Sequence, residues 1–158
     1  MSPKPTTPPT AAATATAELH TTAAQRLRAS GLRYTTSRRA VVEILAATDR
    51  PLTIPEILAL DDSLAQSSAY RNLTELIGAG VVHRIIAGDE FSHFELAEDL
   101  TSHHHHLVCT SCGRVSDVTL TDAVEATLDT ALAKVATAQG FRAEHHRLDV
   151  LGRCAGCD

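Results

Sequence analysis

Apolar residues recur at helical spacing from residue 18 onward. Leu19, Ala23, Ala24 and Leu27 share one face, and Gly31 stops the run. A second helix is predicted over residues 37–47, capped by Thr35 or Thr36. It turns Val41, Val42, Ile44 and Leu45 inward and carries Arg38 and Arg39 in its first turn. Pro51-Leu52-Thr53 reads as a turn. Thr53 then caps a short helix over residues 54–60, with Pro55 in the first turn, where a missing N–H costs little. Asp61-Asp62-Ser63 is the next turn. Gln66, Ser67 or Ser68 opens a fourth helix through Ile77, packed by Leu73, Leu76 and Ile77 and ended by Gly78 and Gly80. Residues 81–86 and 90–96 then predict two strands, joined by a hairpin turn at Ala87-Gly88-Asp89.

Helices, a short turn, a further helix and a hairpin make the order of a winged helix-turn-helix. Residues 98–102 are polar and acidic and suit a hinge. Beyond them, residues 103–109 predict a strand and 114–118 its partner. Thr121 or Asp122 caps a helix through Ala138, with Val124, Leu128, Leu132 and Val135 on one face, and Gly140 stops it. A last strand is expected over 141–151. The fold class is therefore α+β: a winged helix over 18–97, the hinge, and a small α/β unit over 103–158. That unit is too small to bury much alone, so dimerisation is the expected remedy. Residues 1–17 are mostly Pro, Thr and Ala without apolar periodicity and read as a disordered tail.

Net charge is −5, which by itself argues against nucleic acid. The regional split changes that. Residues 18–87 hold eight arginines against seven acids, and five of those arginines fall within 26–39, where there is no acid. That cluster can meet phosphate. Residues 88–158 hold five basic residues against twelve acids, a background suited to cations. No apolar run is long enough to cross a membrane, and no signal peptide is legible, so no membrane partner and a cytoplasmic location are expected.

The chemistry concentrates in His103–Gly113, HHHHLVCTSCG. Side chains alternate along a strand, so His104 and His106 share one face and His103 and His105 the other. Cys109 and Cys112 form one C-x-x-C pair, and Cys154 and Cys157 form a second at the far end of the chain; these are its four cysteines. Two thiolate pairs build a tetrahedral zinc site, which would tie the C-terminal tail back onto the strand. The competing reading is a pair of disulfides, which a reducing compartment disfavours.

Ser68-Ala69-Tyr70-Arg71-Asn72-Leu73 opens the fourth helix, where a recognition helix meets base edges. Tyr70 can touch a thymine methyl, and Arg71 can reach guanine or phosphate. Ser67 and Ser68 can hold phosphate together with the helix N-terminus.

Gly31-Leu32-Arg33-Tyr34-Thr35 with Arg38, then Ala69-Tyr70-Arg71-Asn72-Leu73, then Phe94-Glu95-Leu96, the histidine run and both C-x-x-C pairs resemble the ferric uptake regulator family, in order, from residue 21 to the C-terminus. The resemblance implies a homodimeric, metal-dependent regulator that binds double-stranded operator DNA and has no small-molecule substrate. It puts Arg33 in the minor groove, Tyr70 and Arg71 on the operator, and Arg38 within the DNA-binding stretch. It implies structural zinc on Cys109, Cys112, Cys154 and Cys157. A regulatory site falls on Glu95, His104 and His106, and a further site on His103, His105, Glu125 and His146, with Asp122 as the substitute for Glu125. Iron-type members supply a histidine just before the third helix, where this chain has Pro51. His83 stands at the start of the wing, where zinc-sensing members place a ligand. Three imidazoles and one carboxylate suit tetrahedral zinc, so zinc is the expected regulatory ion and the zinc uptake regulator branch the expected one. Iron(II) or manganese, and a peroxide-sensing member, are the alternatives. His93 reads as a solvated wing residue, and His20 and His145 have no assigned role.

Two other function classes compete: a zinc hydrolase and a metal buffer. There is no H-E-x-x-H and no nucleophile elbow, so the chain is not expected to be an enzyme.

Overall fold

Thr53 and Glu56 show how local chemistry sets the elements. The Thr53 side chain caps the backbone N–H of Glu56, and the Glu56 carboxylate returns to the Thr53 N–H at 2.8 Å, a reciprocal capping box. In the computed structural model, which describes residues 11–86 and 92–157, this box starts the third helix. The order is α1 (Ala11–Ala29), α2 (Thr36–Ala46), β1 (Leu52–Thr53), α3 (Ile54–Leu60), α4 (Gln66–Gly78), β2 (Val82–Ile86) and β3 (Ser92–Leu96). A 3₁₀ turn (Glu98–Leu100) leads to β4 (His105–Cys109), β5 (Val115–Val118), α5 (Asp122–Ala138) and β6 (Asp149–Gly152).

The first sheet has the antiparallel order β1-β3-β2. With α2, α3 and α4 it makes the winged helix. One core serves this half: Leu27 of α1, Val41, Val42 and Leu45 of α2, Ile57 of α3, Leu73 and Leu76 of α4, and Phe94 of β3 are all buried together. The second sheet has the order β5-β4-β6, antiparallel on one side of β4 and parallel on the other. Among the described residues its buried apolar cluster is Val108 and Val115, joined by Ile85 from the wing. No residue of α5 is buried. Val135 is 65% exposed and Leu151 67%, and Val124, Leu132, Phe141 and Val150 are exposed with them.

Several expectations shift. α1 begins at Ala11 rather than near residue 18, because the alanine-rich run before Glu18 has strong intrinsic helix propensity. The expected turn at Pro51-Leu52-Thr53 contains a two-residue strand, since Leu52 and Thr53 find Phe94 and His93 across the sheet. His93 is therefore buried instead of solvated. His20 is buried too, with its Nδ1 2.7 Å from the Tyr34 hydroxyl. β4 starts at His105, two residues later than expected. The last strand is confined to Asp149–Gly152, the only part of residues 141–152 that lies in register beside β4. The hairpin turn at Ala87-Gly88-Asp89 lies outside the described residues.

Glu56 yields a stability test. Burial pushes its carboxyl up, but hydrogen bonds from Arg50 and from the Thr53 N–H and hydroxyl outweigh that and bring it to about 2. A depressed carboxyl stabilises the fold above its unfolded value of about 4.5 and loses that contribution as pH falls through about 2. Glu56→Gln should cost about 1 kcal/mol at pH 7, a figure kept small by its partial exposure. Urea unfolding of both proteins across pH should show the difference closing between about pH 4.5 and 2.

Candidate functional site

β4 delivers ligands in three directions. At its end, Cys109 is followed by a turn that Gly113 closes at φ +74°, bringing Cys112 back beside it. β6 runs parallel to β4 and places Cys154 and Cys157 against the same corner. The four sulfurs all lie within 4.8 Å of one another, with Cys112 Sγ 3.8 Å from Cys154 Sγ. Sulfurs at about 2.3 Å around a tetrahedral zinc are separated by about 3.8 Å. A disulfide requires about 2.05 Å, and all four cysteines are free thiols. Backbone N–H groups of Cys112, Cys154 and Ser111 pull the Cys109 thiol down to about 6, whereas the Cys112 and Cys154 thiol groups around Cys157 push it up to about 12. Crowded thiols of this kind ionise together only beside a cation.

On one face of β4, His104 and His106 meet Glu95 of β3. Their Nε2 atoms lie 3.1 and 3.0 Å from the same Glu95 oxygen. Asp117 of β5 stands opposite His106 in the ladder and closes the group, with its oxygens 4.0 Å from both Nε2 atoms. The other ring nitrogens are also engaged: His104 Nδ1–H donates to the Ser102 carbonyl at 2.8 Å, and His106 Nδ1–H to Asp149 at 2.9 Å. Each ring therefore has acceptors on both sides, which only the imidazolium satisfies. Burial lowers His106, but the hydrogen bonds to Glu95 and Asp149 prevail and lift it to about 9. His104 is raised on the same balance, with burial opposed by Ser102 and Glu95. Burial raises Glu95, and its two imidazole partners more than reverse that. The Nε2 protons sit where a cation would bind. The outer acceptors hold the rings by Nδ1, the usual backing of a metal-bound histidine.

The opposite face builds a second group. His105, 1% exposed, places Nε2 2.9 Å from Glu125 of α5. His103 Nε2 and His146 Nε2 each lie 3.4 Å from the other Glu125 oxygen. Asp129, one turn along α5, backs His146 Nδ1 at 3.0 Å, and Glu98 backs His103 Nδ1. Burial pushes the Glu125 carboxyl up, and His105, His103 and His146 together bring it below its ordinary value. Two buried atoms pointing inward, Glu125 Oε2 and His146 Nε2, make no hydrogen bond among the described residues. Buried polar atoms left this way call for a partner, and a divalent cation fits this donor set.

All four cysteines therefore come together, as do Glu95, His104 and His106, and as do His103, His105, Glu125 and His146. Glu125 fills the place for which Asp122 was the substitute. His83 is not brought into the first group. It faces Glu95 across the ladder, but its Nε2 contacts the Arg147 guanidinium, and burial and that neighbouring charge hold the imidazole below its ordinary value. Asp117 takes the fourth place instead. Its signal in the sequence was its position on the strand partnering β4, opposite a histidine.

The nucleic-acid candidates divide as well. Tyr70 is 54% exposed on α4, with Ser67 and Arg71 exposed and Ser68 partly so, while Asn72 and Leu73 face the core. Arg33 is exposed in the α1–α2 connection. Arg38 is turned inward, unlike the others. It is 9% exposed and joins the Arg33 carbonyl to the Glu75 carboxylate, pinning α2 to α4.

The ferric uptake regulator family matches residues 29–151. The peroxide operon regulator of Bacillus subtilis is 30% identical over 139 residues, 85% of this chain and 90% of that protein. The ferric uptake regulator of Vibrio cholerae superposes with a TM-score of 0.63 at 27% identity, covering 82% of this chain and 98% of that one. The Helicobacter pylori regulator, whose structure is described as revealing three functional metal binding sites, superposes with a TM-score of 0.69 over 90% of this chain and 93% of that one. At 20% identity it supports the fold alone. No helix among the described residues is long and apolar enough to cross a membrane.

The raised imidazoles fix the direction of a pH effect. Below about pH 9, cation binding to the Glu95–His104–His106–Asp117 group must displace a proton from His106. Manganese(II) titrations in buffers of different ionisation enthalpy should show net proton release at pH 7, and affinity should rise with pH up to about 9. In the same calorimeter, Asp117→Ala should weaken binding by about tenfold or more, while His83→Ala leaves it nearly unchanged.

Proposed function

This chain belongs to the ferric uptake regulator family of metal-responsive transcriptional regulators, and on that footing we propose that it is a homodimeric repressor that binds operator DNA when a divalent cation is held by Glu95, His104, His106 and Asp117. The observation that carries this is the shared Glu95 oxygen, which the wing presents to two imidazoles of the second sheet. The proposed division places the winged helix at 18–97, the hinge at 98–102 and the dimerisation unit at 103–158. Family members are regulators, not enzymes.

Glu95 rides on β3, whereas His104, His106 and Asp117 sit beyond the 3₁₀ turn. A bound cation would supply the positive charge that lets two carboxylates and two neutral imidazoles share one centre. The conformation in which wing and second sheet approach is then the one favoured, and the wing orientation with it. The exposed apolar residues on α5 and β6 support a second copy of the chain as the covering surface, which sets two α4 helices at a fixed spacing. Tyr70 and Arg71 would read bases or phosphate, Ser67 and Ser68 would hold phosphate at the start of α4, and Arg33 would enter the minor groove. Arg38 would act only by bracing α2 against α4. The cysteine group would hold structural zinc, and the chain would work in the cytoplasm.

Zinc as the regulatory ion requires a third imidazole, from His83. With Asp117 there instead, two imidazoles and two carboxylates suit iron(II) or manganese(II). The likeness to a peroxide operon regulator supports a second reading within the same chemistry: Glu95, His104, His106 and Asp117 would hold iron(II), which would let hydrogen peroxide give one oxygen to the ring of His104 or His106 and leave the other as water.

A duplex selected from random sequence by the manganese-loaded protein provides the test. Fluorescence anisotropy should show that binding needs a divalent cation beyond the structural ion and that manganese(II) or anaerobic iron(II) suffices. Arg71→Ala should weaken DNA binding by about tenfold or more and leave cation affinity unchanged. Binding that ignores metal would overturn the proposal. Peroxide treatment followed by mass spectrometry decides the second reading, which requires an added oxygen on His104 or His106 with iron and none with manganese.

A further inference from the structure

The segment between wing and second sheet does more than connect them. Glu98 and Asp99 are neighbours in its 3₁₀ turn, where successive side chains leave about 120° apart. They grip opposite sides. Glu98 receives the Nδ1 of His103, whose Nε2 faces Glu125 in the second histidine group. Asp99 receives the Arg26 guanidinium through both carboxylate oxygens, one of them 3.2 Å from Nη1. The same Arg26 Nη1 donates to the Gly80 carbonyl, just ahead of β2. Arg26 belongs to α1, so one arginine joins the first helix, the entrance to the wing and the turn.

The turn can transmit force because it is itself fixed. The Leu100 N–H donates to the Ala97 carbonyl at 2.8 Å, and the Thr101 N–H to Glu98 at 3.0 Å. Leu100 packs against the winged-helix core. Two residues on, the Ser102 carbonyl backs His104. Bidentate arginine–carboxylate pairing sets direction as well as distance. A carboxylate on the outer nitrogen of a metal-bound histidine sets the tautomer and the ring orientation.

We infer that Glu98 and Asp99 form a strap that ties cation occupancy of the His103–His105–Glu125–His146 group to the seat of α1 and the wing entrance: Glu98 positions the His103 ring, and Asp99 holds Arg26. This rests on the reading that the second histidine group binds a divalent cation. Glu98 is a positioning residue, since its carboxylate meets His103 on the side away from the centre. The coupling runs both ways by linkage: whatever loosens Arg26 must weaken cation binding to the second group, and cation binding there must quiet α1.

Cobalt(II) is the probe, added to full-length protein with zinc on its cysteines. His104→Ala/His106→Ala serves as the parent, so that visible absorption reports the second group. Glu98→Ala should weaken cobalt binding by about 10- to 100-fold, with Glu98→Gln in between because its amide oxygen still accepts from Nδ1–H. Arg26→Met and Asp99→Asn should weaken it about threefold or more, although Arg26 touches no residue of the group. Cobalt should slow amide exchange in α1 in the parent and not in the Glu98→Ala protein. Full zinc retention on the cysteines shows that each variant is folded. Cobalt affinity unchanged by Glu98→Ala, or unchanged by Arg26→Met, overturns the strap while leaving the metal reading intact. A parent that binds no cobalt overturns the metal reading of this group and the strap with it.

Discussion

The pleat of β4 is the constraint on which the ligand geometry depends. A strand must send neighbouring side chains to opposite faces, which parts His105 from His106, and His103 and His104 just ahead of the strand fall in with them alternately. The carboxylates then come from elsewhere. Glu95 arrives from the wing, Asp117 from the antiparallel neighbour, and Glu125 from α5. Imidazole and carboxylate buried side by side are costly unless each compensates the other. Without a cation they do so as imidazolium and carboxylate, which is why His106 is held so high. Proton and metal would thus be rivals for one position, and the strand decides where that position is.

The two halves are stabilised by different means. The winged helix has a continuous apolar core drawn from α1 through β3. The second sheet has almost none, and its cohesion falls to hydrogen bonds, the cysteine corner and surfaces left for a partner. A unit of this size ordinarily needs such supplements. The distribution suits a device that answers ions. The half with the winged helix has its own apolar core, and the half with the clustered donors would draw part of its order from the cations they hold.

What could be read along the chain was local. Helix periods, the Thr53 cap, the parity of the histidines and the cysteine pairs are set by spacing over a few residues, and the structure keeps them. What escaped depends on distant partners. Asp117 becomes a donor because the register of the expected β4–β5 pair sets it opposite His106, and no spacing within residues 114–118 fixes that register. His83 sits in register with Glu95, yet Arg147, sixty-four positions away, claims its nitrogen. Arg38 belongs to a basic cluster in sequence and to a buried pair with Glu75 in space. The shortening of the last strand has the same cause: the pattern alternates, but pairing with β4 takes in Asp149–Gly152 and, ahead of them, the Leu148 carbonyl.

The parallel pairing of β6 gives the cysteine corner a reach beyond its own sulfurs. Cys154 and Cys157 anchor the tail, Gly152 lies beside Cys109, and three residues upstream Asp149 is held opposite His106. The register that the cysteines share at one end of the strand is thus the register that steers an imidazole at the other. A cation gripped by the four cysteines would act as the tuning peg of a string whose far end is the His106 ring: slackened there, the ring would lose its aim with its own first-hand donors untouched.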